Sequence, residues 1–432
     1  MKKLAFAHDR LYYIAWAEQV FFDQIATVLR CYGATVPKEF CDIWTTTCEE
    51  KSIAASQHRS IEKKVFVMFS DKHFLEIDGY KIPIISALPR RIFAIFVFFD
   101  KHKVWGLSKL FDYRNLMFFY PLLIWILQLK IKAYKPDEIH ISSFAVAKNI
   151  APFNATALQC CSTTAHWSIE ALKHWGNVTL HAQSPFMYIH NHYQSNLSKL
   201  TFPIKQFYQL AHRYLRPWDT KPRHYDKITA NSSYTAWLIE EIYGFENIEI
   251  QYPKLDPLFF SYPLVRSKSD YFIFVGRLVC FSKQVDVIIQ AFNKTGQKLK
   301  IIWSWPDEQY LKSIAKSNIE FLGRVSDPQQ RCELISNARA LVNITLESFG
   351  YVTAESLCLG TPIIGYNQWA TPELVLGSHG LRTKSWILIQ NQTNNTLTHT
   401  LEEFEEYERD YSKIAEQARN KFQSSDLIFK LK

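Results

Sequence analysis

The second half of the chain alternates short apolar runs with stretches of helical spacing. Apolar runs occupy residues 271–275, 298–303, 319–322 and 340–344, and apolar residues recur at helical spacing over 285–292, 308–315 and 329–336. Strands that alternate with helices in this way are typical of a parallel, doubly wound sheet. Before the last of these helices, Asp327 and Pro328 supply an N-cap and a first-turn proline.

The last apolar run leads into a segment with two glutamates and a glycine turn. Its sequence is Glu347-Ser-Phe-Gly-Tyr-Val-Thr-Ala-Glu355, and Gly360 and Pro362 predict where the following helix ends. A helix that begins near Gly350 presents free backbone N–H groups and the positive end of its dipole, which favour an anionic phosphate. The two glutamates then lie within about 12 Å of each other. They could bracket the hydroxyl groups of a sugar nucleotide; the alternative is a surface helix with two solvated glutamates.

The first half of the chain carries weaker signals of the same kind. We predict strands over residues 3–7, 137–143 and 227–233, helices over 18–29, 207–219 and 233–242, and a mixture of short strands and loops over 40–90. His8 and Asp9 follow the first strand, at the end where open α/β sheets bind ligands. The prolines at 253 and 257 indicate an interdomain linker. We therefore predict domains over 1–255 and 256–400, followed by a terminal helical segment over 401–432.

Length and composition favour a two-domain globular protein. The chain has 432 residues, of which 47% are hydrophobic and 15% aromatic, enough for two buried cores. Its formal net charge of +9 favours acidic partners: nucleotide phosphates, anionic lipid headgroups or nucleic acid. The sequence contains no nucleic-acid-binding motif and no dense Lys/Arg tract, so we predict no nucleic acid partner.

The cysteines and the N-terminus indicate a cytoplasmic protein. The eight cysteines include no C-x-x-C pair and no zinc spacing, so free thiols in a reducing compartment are the simplest interpretation. The apolar stretch that follows Met1 and two lysines is too short for a signal peptide.

One apolar run has two interpretations. It covers residues 116–127, contains Pro121, and is shorter than the roughly 20 residues that span a bilayer. Basic residues lie near it at positions 90, 91, 101, 103, 109, 114, 130 and 132. Residues 90–132 could therefore lie on an anionic membrane at its cytoplasmic face. The alternative is a buried core helix.

Three segments of the second half resemble one enzyme family in order and spacing. They are Phe274-Val-Gly-Arg277 with Lys283 six residues on, Phe321-Leu-Gly-Arg-Val-Ser-Asp327, and the double-glutamate segment 347–355. They resemble retaining GT-B glycosyltransferases of family 4, and look most like the bacterial mannosyltransferases that build surface polysaccharide. Weaker similarities lie at His8-Asp9, residues 141–148, Ser184-Pro185, Trp218-Asp219 and residues 230–232.

The resemblance implies a fold and a reaction. The fold is the α/β GT-B architecture, two Rossmann-like doubly wound domains that face each other across a cleft, with the terminal helix crossing back to the first domain. The reaction is the transfer of a hexose, mannose favoured, from a nucleotide-diphosphate sugar such as GDP-mannose to a glycan or lipid-linked acceptor. Anomeric configuration is retained by front-face attack, which requires no protein nucleophile, metal or cofactor.

The resemblance also assigns roles to single residues. Arg277 and Lys283 would stabilise the charge of the departing diphosphate, although an Arg and a Lys beside a strand are by themselves more often solvated. Glu347 would accept hydrogen bonds from the donor sugar. The other contacts are assigned to Arg324 and Val325 at the base, to Phe349, Gly350 and Tyr351 at the phosphates, to Glu355 at the ribose, and to Asp9, His181 and Gln183 on the acceptor side.

Three positions depart from the family pattern. Trp16 and Trp369 stand where the family has glycine pairs, and Gln183 stands where it has a histidine, with His181 two residues earlier. These changes could alter the donor or acceptor pocket. They could also mean a non-catalytic homologue that binds a sugar nucleotide or serves as a scaffold, which is the alternative function. A two-carboxylate glycosidase and an epimerase are weaker alternatives.

Overall fold

A computed structural model provides the structure of the chain. It describes residues 2–11, 25, 61–70, 72–77, 80–102, 117–142, 146–152, 175–184, 189–190, 193, 197, 202, 204–265, 267–303, 307–376, 386–404, 409–423 and 429–430. The chain divides into two compact units. The first unit comprises Met1–Ala230 and Trp237–Ile248, and the second comprises Asn231–Ala236 and Glu249–Lys432.

The first unit is built on a mainly parallel sheet. Its strands are β1 (Lys2–Leu11), β2 (Ile61–Ser70), β3 (Phe74–Ile77), β4 (Tyr80–Ser86), β5 (Glu138–Ser142), β6 (Asn177–Ala182) and β7 (Lys227–Ala230). They run in the order β7-β6-β5-β1-β2-β4-β3. All neighbours pair in parallel except β3 and β4, which are antiparallel. The strand order reverses between β1 and β5, which is where open α/β sheets form a ligand crevice.

Helices connect these strands. They are α1 (Arg90–His102), α2 (Tyr120–Tyr134), a short 3₁₀ helix (Ala147–Ile150), α3 (Ile204–Asp219) and α4 (Ser233–Tyr243). The first turn of α4, residues 233–236, belongs to the second unit. Helix α4 begins as predicted, because the Ser232 hydroxyl accepts a hydrogen bond from the Thr235 backbone N–H at 3.0 Å. The predicted helix over 18–29 lies outside the described residues except for Ile25, which is helical and buried.

Helix α2 contains the apolar run that had two interpretations. One face, which includes Leu123, Leu127 and Ile131, is buried, and the helix packs against β2. The opposite face leaves Leu122 and Trp125 about half exposed, at 50% and 55%. Met117–Tyr134 is long and apolar enough to cross a membrane by length and composition alone, and 33% of it is buried. The run is therefore a core helix on one side and an apolar surface on the other.

The second unit contains a six-stranded parallel sheet. Its strands are β9 (Phe272–Val275), β10 (Leu299–Ile302), β11 (Ile319–Gly323), β12 (Leu341–Asn343), β13 (Ile363–Tyr366) and β14 (Trp386–Ile389). Their order is β11-β10-β9-β12-β13-β14, which is the Rossmann order with its reversal between β9 and β12. An antiparallel pair joins β8 (Glu249–Ile250) to β15 (Phe429–Lys430).

The helices of the second unit pack on this sheet. They are α5 (Leu258–Ser261), α6 (Cys280–Lys283), α7 (Val285–Thr295), α8 (Glu308–Ile314), α9 (Pro328–Asn337), α10 (Tyr351–Cys358), α11 (Thr371–Leu376), α12 (Asn394–Glu403) and α13 (Tyr411–Gln423). Asp327 caps α9 and Pro328 opens it, as the sequence predicts. Lys283 ends the short helix α6, and the terminal helical segment predicted over 401–432 contains the end of α12 and the whole of α13.

Candidate functional site

The candidate site lies at the carboxyl ends of β9 and β12. These strands are hydrogen-bonded neighbours at the point where the order of the sheet reverses. Arg277 follows β9 by two residues, and Glu347 follows β12 by four. Side chains from the two loops meet there because parallel neighbours end at the same edge of a sheet. Arg277 itself is exposed.

Lys283 and Glu347 form an ion pair at this edge. The Lys283 ammonium donates to Oε1 of Glu347, which lies 64 residues further along the chain. The two side chains remain partly accessible, at 18% and 27% exposure. Gln284, in the left-handed conformation with φ 52°, ends α6 directly after Lys283. The start of α6, the helix that carries Lys283, is also fixed, because the Asp307 carboxylate accepts a hydrogen bond from the Cys280 N–H at 2.9 Å.

Two polar residues that the motif comparison missed hold Glu347 in place. The Thr345 hydroxyl lies 3.0 Å from Glu347 Oε1 and 2.6 Å from Asn343 Oδ1. The Asn343 amide in turn donates to the Thr353 hydroxyl of α10 at 3.0 Å. A signal existed in the sequence, since Asn343 and Thr345 interrupt an otherwise apolar run. Glu347 is thus positioned from the strand and from the helix.

Gly350 forms the turn before α10, as the sequence predicts. Its φ is 95°, a conformation that L side chains rarely adopt. A Cβ there would also lie 3.3 Å from Leu374 Cδ1 and 3.6 Å from Glu347 Cβ. The first backbone N–H groups of a helix have no partner within that helix, so the α10 N-terminus offers donors beside Glu347. The neighbouring side chain of Phe349 is buried in the core, where it packs against Tyr252 at 5.6 Å between ring centroids.

Glu355 is a buried carboxyl in the second turn of α10. It is 4% exposed, and burial raises its pKa to about 7, although the Arg331 guanidinium lowers it in part. Arg331 lies 3.7 Å from Oε1. Within the part of the chain that the structure describes, Oε2 of Glu355 has no hydrogen-bond partner. A buried acceptor of this kind is costly unless a donor reaches it.

Arg324 and Val325 follow β11 on the other side of β10. The Arg324 guanidinium lies 5.6 Å from the ring centroid of Trp303, a cation–π contact. Trp303 follows β10 directly and has φ 118°, which is unusual for a bulky side chain. Val325 is half-buried against the core. Our sequence analysis did not identify Trp303, because no motif near it in the sequence indicates its contact with Arg324.

Trp369 and Glu373 lie in the segment that follows β13. Trp369 has φ 62°, and its ring stacks on Tyr234 with 4.9 Å between centroids. The N–H of Ala370 donates to the Glu347 carbonyl at 3.2 Å. Glu373 accepts from the Ser233 N–H at 2.9 Å and from the Tyr252 hydroxyl at 2.7 Å. The loop after β13 is therefore tied both to Glu347 and to the start of α4.

The acceptor-side candidates lie in the first unit. The Gln183 amide donates to the Ser142 hydroxyl at 3.2 Å, and His8 contacts the Ser142 carbonyl through Nδ1. These residues belong to the carboxyl ends of the neighbouring strands β1, β5 and β6. The Asp9 side chain lies outside the described structure, as do Trp16 and Pro185.

His181 points to its neighbours within the sheet. Its Nδ1 lies 3.0 Å from the Thr229 hydroxyl and its Nε2 lies 3.5 Å from His140 Nδ1. Burial, together with the nearby His140 and Lys227, lowers the pKa of His181 to about 3, so the ring is neutral at physiological pH. Its two ring nitrogens therefore already have partners in the sheet.

Beside the acceptor-side strands lies a buried polar network centred on Asp219. The Asp219 carboxylate pairs with the Lys148 ammonium and accepts from the Tyr243 hydroxyl at 2.7 Å, with His190 Nε2 at 3.0 Å. Burial alone would raise the pKa of Asp219, but Lys148 and the hydrogen bonds outweigh it and lower the pKa to about 2. The network joins the 3₁₀ helix to the C-terminal end of α3.

Comparison with known proteins gives a family match for part of the chain and the fold of the whole. Residues 260–421 match the family described as glycosyl transferases group 1. No curated protein sequence matches the chain. Among the described cysteines, Cys280, Cys332 and Cys358 are free thiols.

Several solved structures are similar over almost the whole chain. Sucrose-phosphate synthase from Thermosynechococcus elongatus has a TM-score of 0.57 at 13% identity, covering 99% of this chain and 94% of that one. WaaG, a glycosyltransferase involved in lipopolysaccharide biosynthesis, has a TM-score of 0.55 at 13% identity, covering 98% and 95%. Anabaena Alr3699/HepE in complex with UDP has a TM-score of 0.54 at 14% identity, covering 98% and 96%. The chain thus has the α/β fold of GT-B glycosyltransferases, and its residues 260–421 match glycosyl transferases group 1.

Proposed function

We propose that this protein is a glycosyltransferase that moves a hexose from a nucleotide-diphosphate sugar to a glycan or lipid-linked acceptor. The observation that carries the proposal is the Lys283–Glu347 pair at the reversal point of a Rossmann-ordered sheet. A cation and a hydrogen-bond acceptor lie side by side there, at the edge where such sheets bind nucleotides. The lysine suits a diphosphate, and the glutamate suits sugar hydroxyl groups.

The diphosphate is proposed to bind between Lys283, Arg277 and the N-terminus of α10. Gly350 leaves the backbone of that turn free of a side chain, and the helix dipole favours negative charge. When a phosphate enters, the Lys283 ammonium would exchange its Glu347 partner for phosphate oxygens. That exchange frees Glu347 to accept from the sugar.

The nucleoside is proposed to bind along α10 and β11. A ribose hydroxyl would donate to the buried Oε2 of Glu355, which no described residue reaches. Arg324 and Trp303 would lie beside the base, where the indole ring offers a stacking surface. This proposal adds Trp303 to the residues that the sequence predicts.

The proposed transfer retains the anomeric configuration. The bond between the anomeric carbon and the phosphate oxygen breaks while a bond to the acceptor oxygen forms on the same face. The acceptor hydroxyl proton passes to the departing phosphate, so no group on the protein needs to act as a nucleophile. Arg277 and Lys283 stabilise the charge that develops on the diphosphate.

The donor is proposed to be GDP-mannose, on the resemblance of the three motifs to bacterial mannosyltransferases. The Anabaena neighbour was solved with UDP, so UDP-sugars are the first competitors to test. A thermal-shift screen of GDP-, UDP-, dTDP- and ADP-sugars, with Arg277→Ala as control, decides between them. A stabilisation by one nucleotide class that Arg277→Ala loses supports the proposal, because a ligand that binds only the folded state raises its melting temperature.

Two results would count against this function. Absence of any shift in the wild type would contradict nucleotide-sugar binding. A shift without release of free nucleotide, when acceptor glycans and lipid-linked glycans are supplied, would favour the non-catalytic homologue. The observation that favours this second function is the left-handed Trp369, where the family pattern has a glycine pair.

The acceptor side is proposed to meet an anionic membrane surface, at its cytoplasmic face. Phe118, two residues before α2, contacts Phe207 and Tyr214 of α3, with centroid distances of 4.6 and 6.3 Å. Around this contact, the exposed apolar residues are Phe119, Leu122 and Trp125 of the α2 segment, together with Phe202, Phe207 and Leu210. Exposed Lys130, Lys132, Lys205 and Arg213 lie on the same helices. Apolar residues flanked by positive charge are typical of surfaces that bind anionic lipid.

A further inference from the structure

Trp369 occupies a backbone conformation that favours glycine. Its φ is 62°, in the left-handed region, where a bulky side chain is an outlier. Strained residues of this kind persist only where the surrounding structure holds them, and they occur preferentially at ligand sites. The contacts of Trp369 should therefore explain why a tryptophan occupies this unfavourable backbone conformation.

The segment that carries Trp369 is hydrogen-bonded to the backbone of Glu347. The N–H of Ala370, the next residue, donates to the Glu347 carbonyl at 3.2 Å. On its other side the Trp369 ring stacks on Tyr234, with 4.9 Å between centroids and 26° between planes. Both aromatic residues belong to the same compact unit.

Hydrogen bonds between residues next to Trp369 and residues next to Tyr234 fix the aromatic pair. Glu373, four residues after Trp369, accepts from the backbone N–H of Ser233 at 2.9 Å and from its hydroxyl at 3.0 Å. Ser233 directly precedes Tyr234, so these hydrogen bonds join the segment after β13 to the first turn of α4. The Lys421 ammonium adds a hydrogen bond to the Glu373 carbonyl. A ring held this firmly can discriminate between ligands, because it cannot move aside at low cost.

We infer that Trp369, supported by Tyr234, is the specificity-determining residue for the donor sugar. This inference rests on the proposed function. An indole ring packs well against the C–H face of a pyranose, and its negative face disfavours a carboxylate. The Glu347 carboxylate, which the proposed function places at the donor sugar, disfavours an anionic sugar further, and we expect the bulk of the ring to exclude an N-acetyl group. The preferred donor is accordingly a neutral, unsubstituted hexose, and hexuronic acids and N-acetylhexosamines are rejected.

Trp369→Gly is the informative variant, because glycine adopts the observed φ without strain. Trp369→Phe keeps an aromatic ring, and Tyr310→Ala removes an exposed aromatic residue elsewhere in the same unit, on α8. Circular dichroism melting shows whether each variant folds. The probes are UDP, UDP-glucose, UDP-N-acetylglucosamine and UDP-glucuronic acid, with GDP and GDP-mannose in parallel, measured by isothermal titration calorimetry.

We expect Trp369→Gly to bind the nucleoside diphosphate as the wild type does while losing discrimination between sugars. The preference for the plain hexose over its N-acetyl and carboxylate analogues should fall by about tenfold or more, the range found for shape-based pocket selection. Trp369→Phe should keep most of the preference, and Tyr310→Ala should keep all of it.

Three outcomes would overturn the inference, and they are distinguishable. If every variant binds nucleotide sugars with unchanged preference, Trp369 does not select the sugar, and the proposed function stands. If only Trp369→Gly binds nucleotide sugars, the tryptophan closes the subsite in the native protein and selects nothing. If neither the wild type nor any variant binds a nucleoside diphosphate, the proposed function itself fails.

Discussion

At the scale of single residues, the Lys283–Glu347 ion pair joins two side chains with separate roles in the proposed reaction, Lys283 at the diphosphate and Glu347 at the sugar. In this structure each side chain satisfies the other, and both remain partly accessible. Exposed ion pairs contribute only about 0–1 kcal/mol to the free energy of unfolding. We propose that this pair serves ligand binding, and we expect its contribution to stability to be small.

Lys283→Ala and Glu347→Ala test these roles. Each should lower turnover by at least about a hundredfold, by analogy with loss of one electrostatic donor, while the melting temperature stays close to that of the wild type. Nucleotide release in steady-state assays measures the effect. Lys312→Ala is the matched control, since Lys312 forms a surface pair with Glu308 at 2.6 Å on α8. Near-normal turnover in either variant would remove that residue from the site.

Glu355 gives a prediction about pH. Its pKa is raised from 4.5 to about 7 by burial, so ionising it opposes folding. Its contribution to stability is fully present below pH 4.5 and is lost as pH rises through 7. Glu355→Gln should therefore match the wild type near pH 4.5 and exceed its unfolding free energy at pH 8.5, by an amount on the order of 3 kcal/mol.

Urea unfolding at the two pH values measures this difference. Glu402→Gln, an exposed glutamate on α12, is the control and should leave the pH dependence unchanged. Parallel pH profiles for Glu355→Gln and the wild type would show that the Glu355 carboxyl is not desolvated.

At the scale of elements, the Asp219 network joins the 3₁₀ helix, α3 and α4 through buried charges. Asp219→Asn would leave the Lys148 ammonium buried beside an amide, and we expect a loss of about 3–5 kcal/mol in unfolding free energy. Since the pKa of Asp219 is lowered to about 2, this stability is present at neutral pH and disappears as pH falls toward 2.

A double variant distinguishes the cost of an unpaired buried Lys148 charge from a general loss of packing in the core. Lys148→Met combined with Asp219→Leu removes both charges and should recover much of the loss, because no unpaired charge remains. Chemical unfolding of the single and double variants provides the comparison. If the double variant is as unstable as Asp219→Asn, the cost lies in packing and not in the buried charge.

The apolar surface of α2 and α3 gives a second prediction at this scale. Trp125→Glu and Leu210→Glu place negative charges on residues that are 55% and 60% exposed. Each should weaken sedimentation with vesicles of anionic phospholipid by about tenfold without lowering the melting temperature. Tyr310→Glu, in the other unit, is the control. Equal binding by all variants, or equal binding to neutral vesicles, would contradict a lipid-binding surface.

Most elements of the second unit were predictable from the sequence, because the signals that specify them lie within a few neighbouring residues. The strand at 319–322 and the helix at 329–336 lie within one residue of β11 and α9. Their signals are apolar periodicity, an N-cap and a first-turn proline, which act over a few neighbouring residues. The terminal helical segment predicted over 401–432 contains the end of α12 and the whole of α13.

At the scale of the whole molecule, strand order was beyond prediction. Nothing in the sequence of β9 or β12 specifies that the two pair, since β10 and β11 come between them along the chain. Pairing of that kind depends on crossover connections and on the packing of helices over both faces of the sheet. The site exists only because that order brings the loops after β9 and β12 together.

The sequence by itself determined the alternation of elements, the glycine turn at Gly350, and the motifs at Arg277, Lys283 and Glu347, because capping, turn formation and periodicity are local. Tertiary structure alone decided the Lys283–Glu347 contact, the burial that raises the pKa of Glu355, and the left-handed Trp369 stacked on Tyr234. These features depend on which distant segments pack together. Contacts across 64 residues and desolvation are properties of the assembled core, and no short stretch of sequence encodes them.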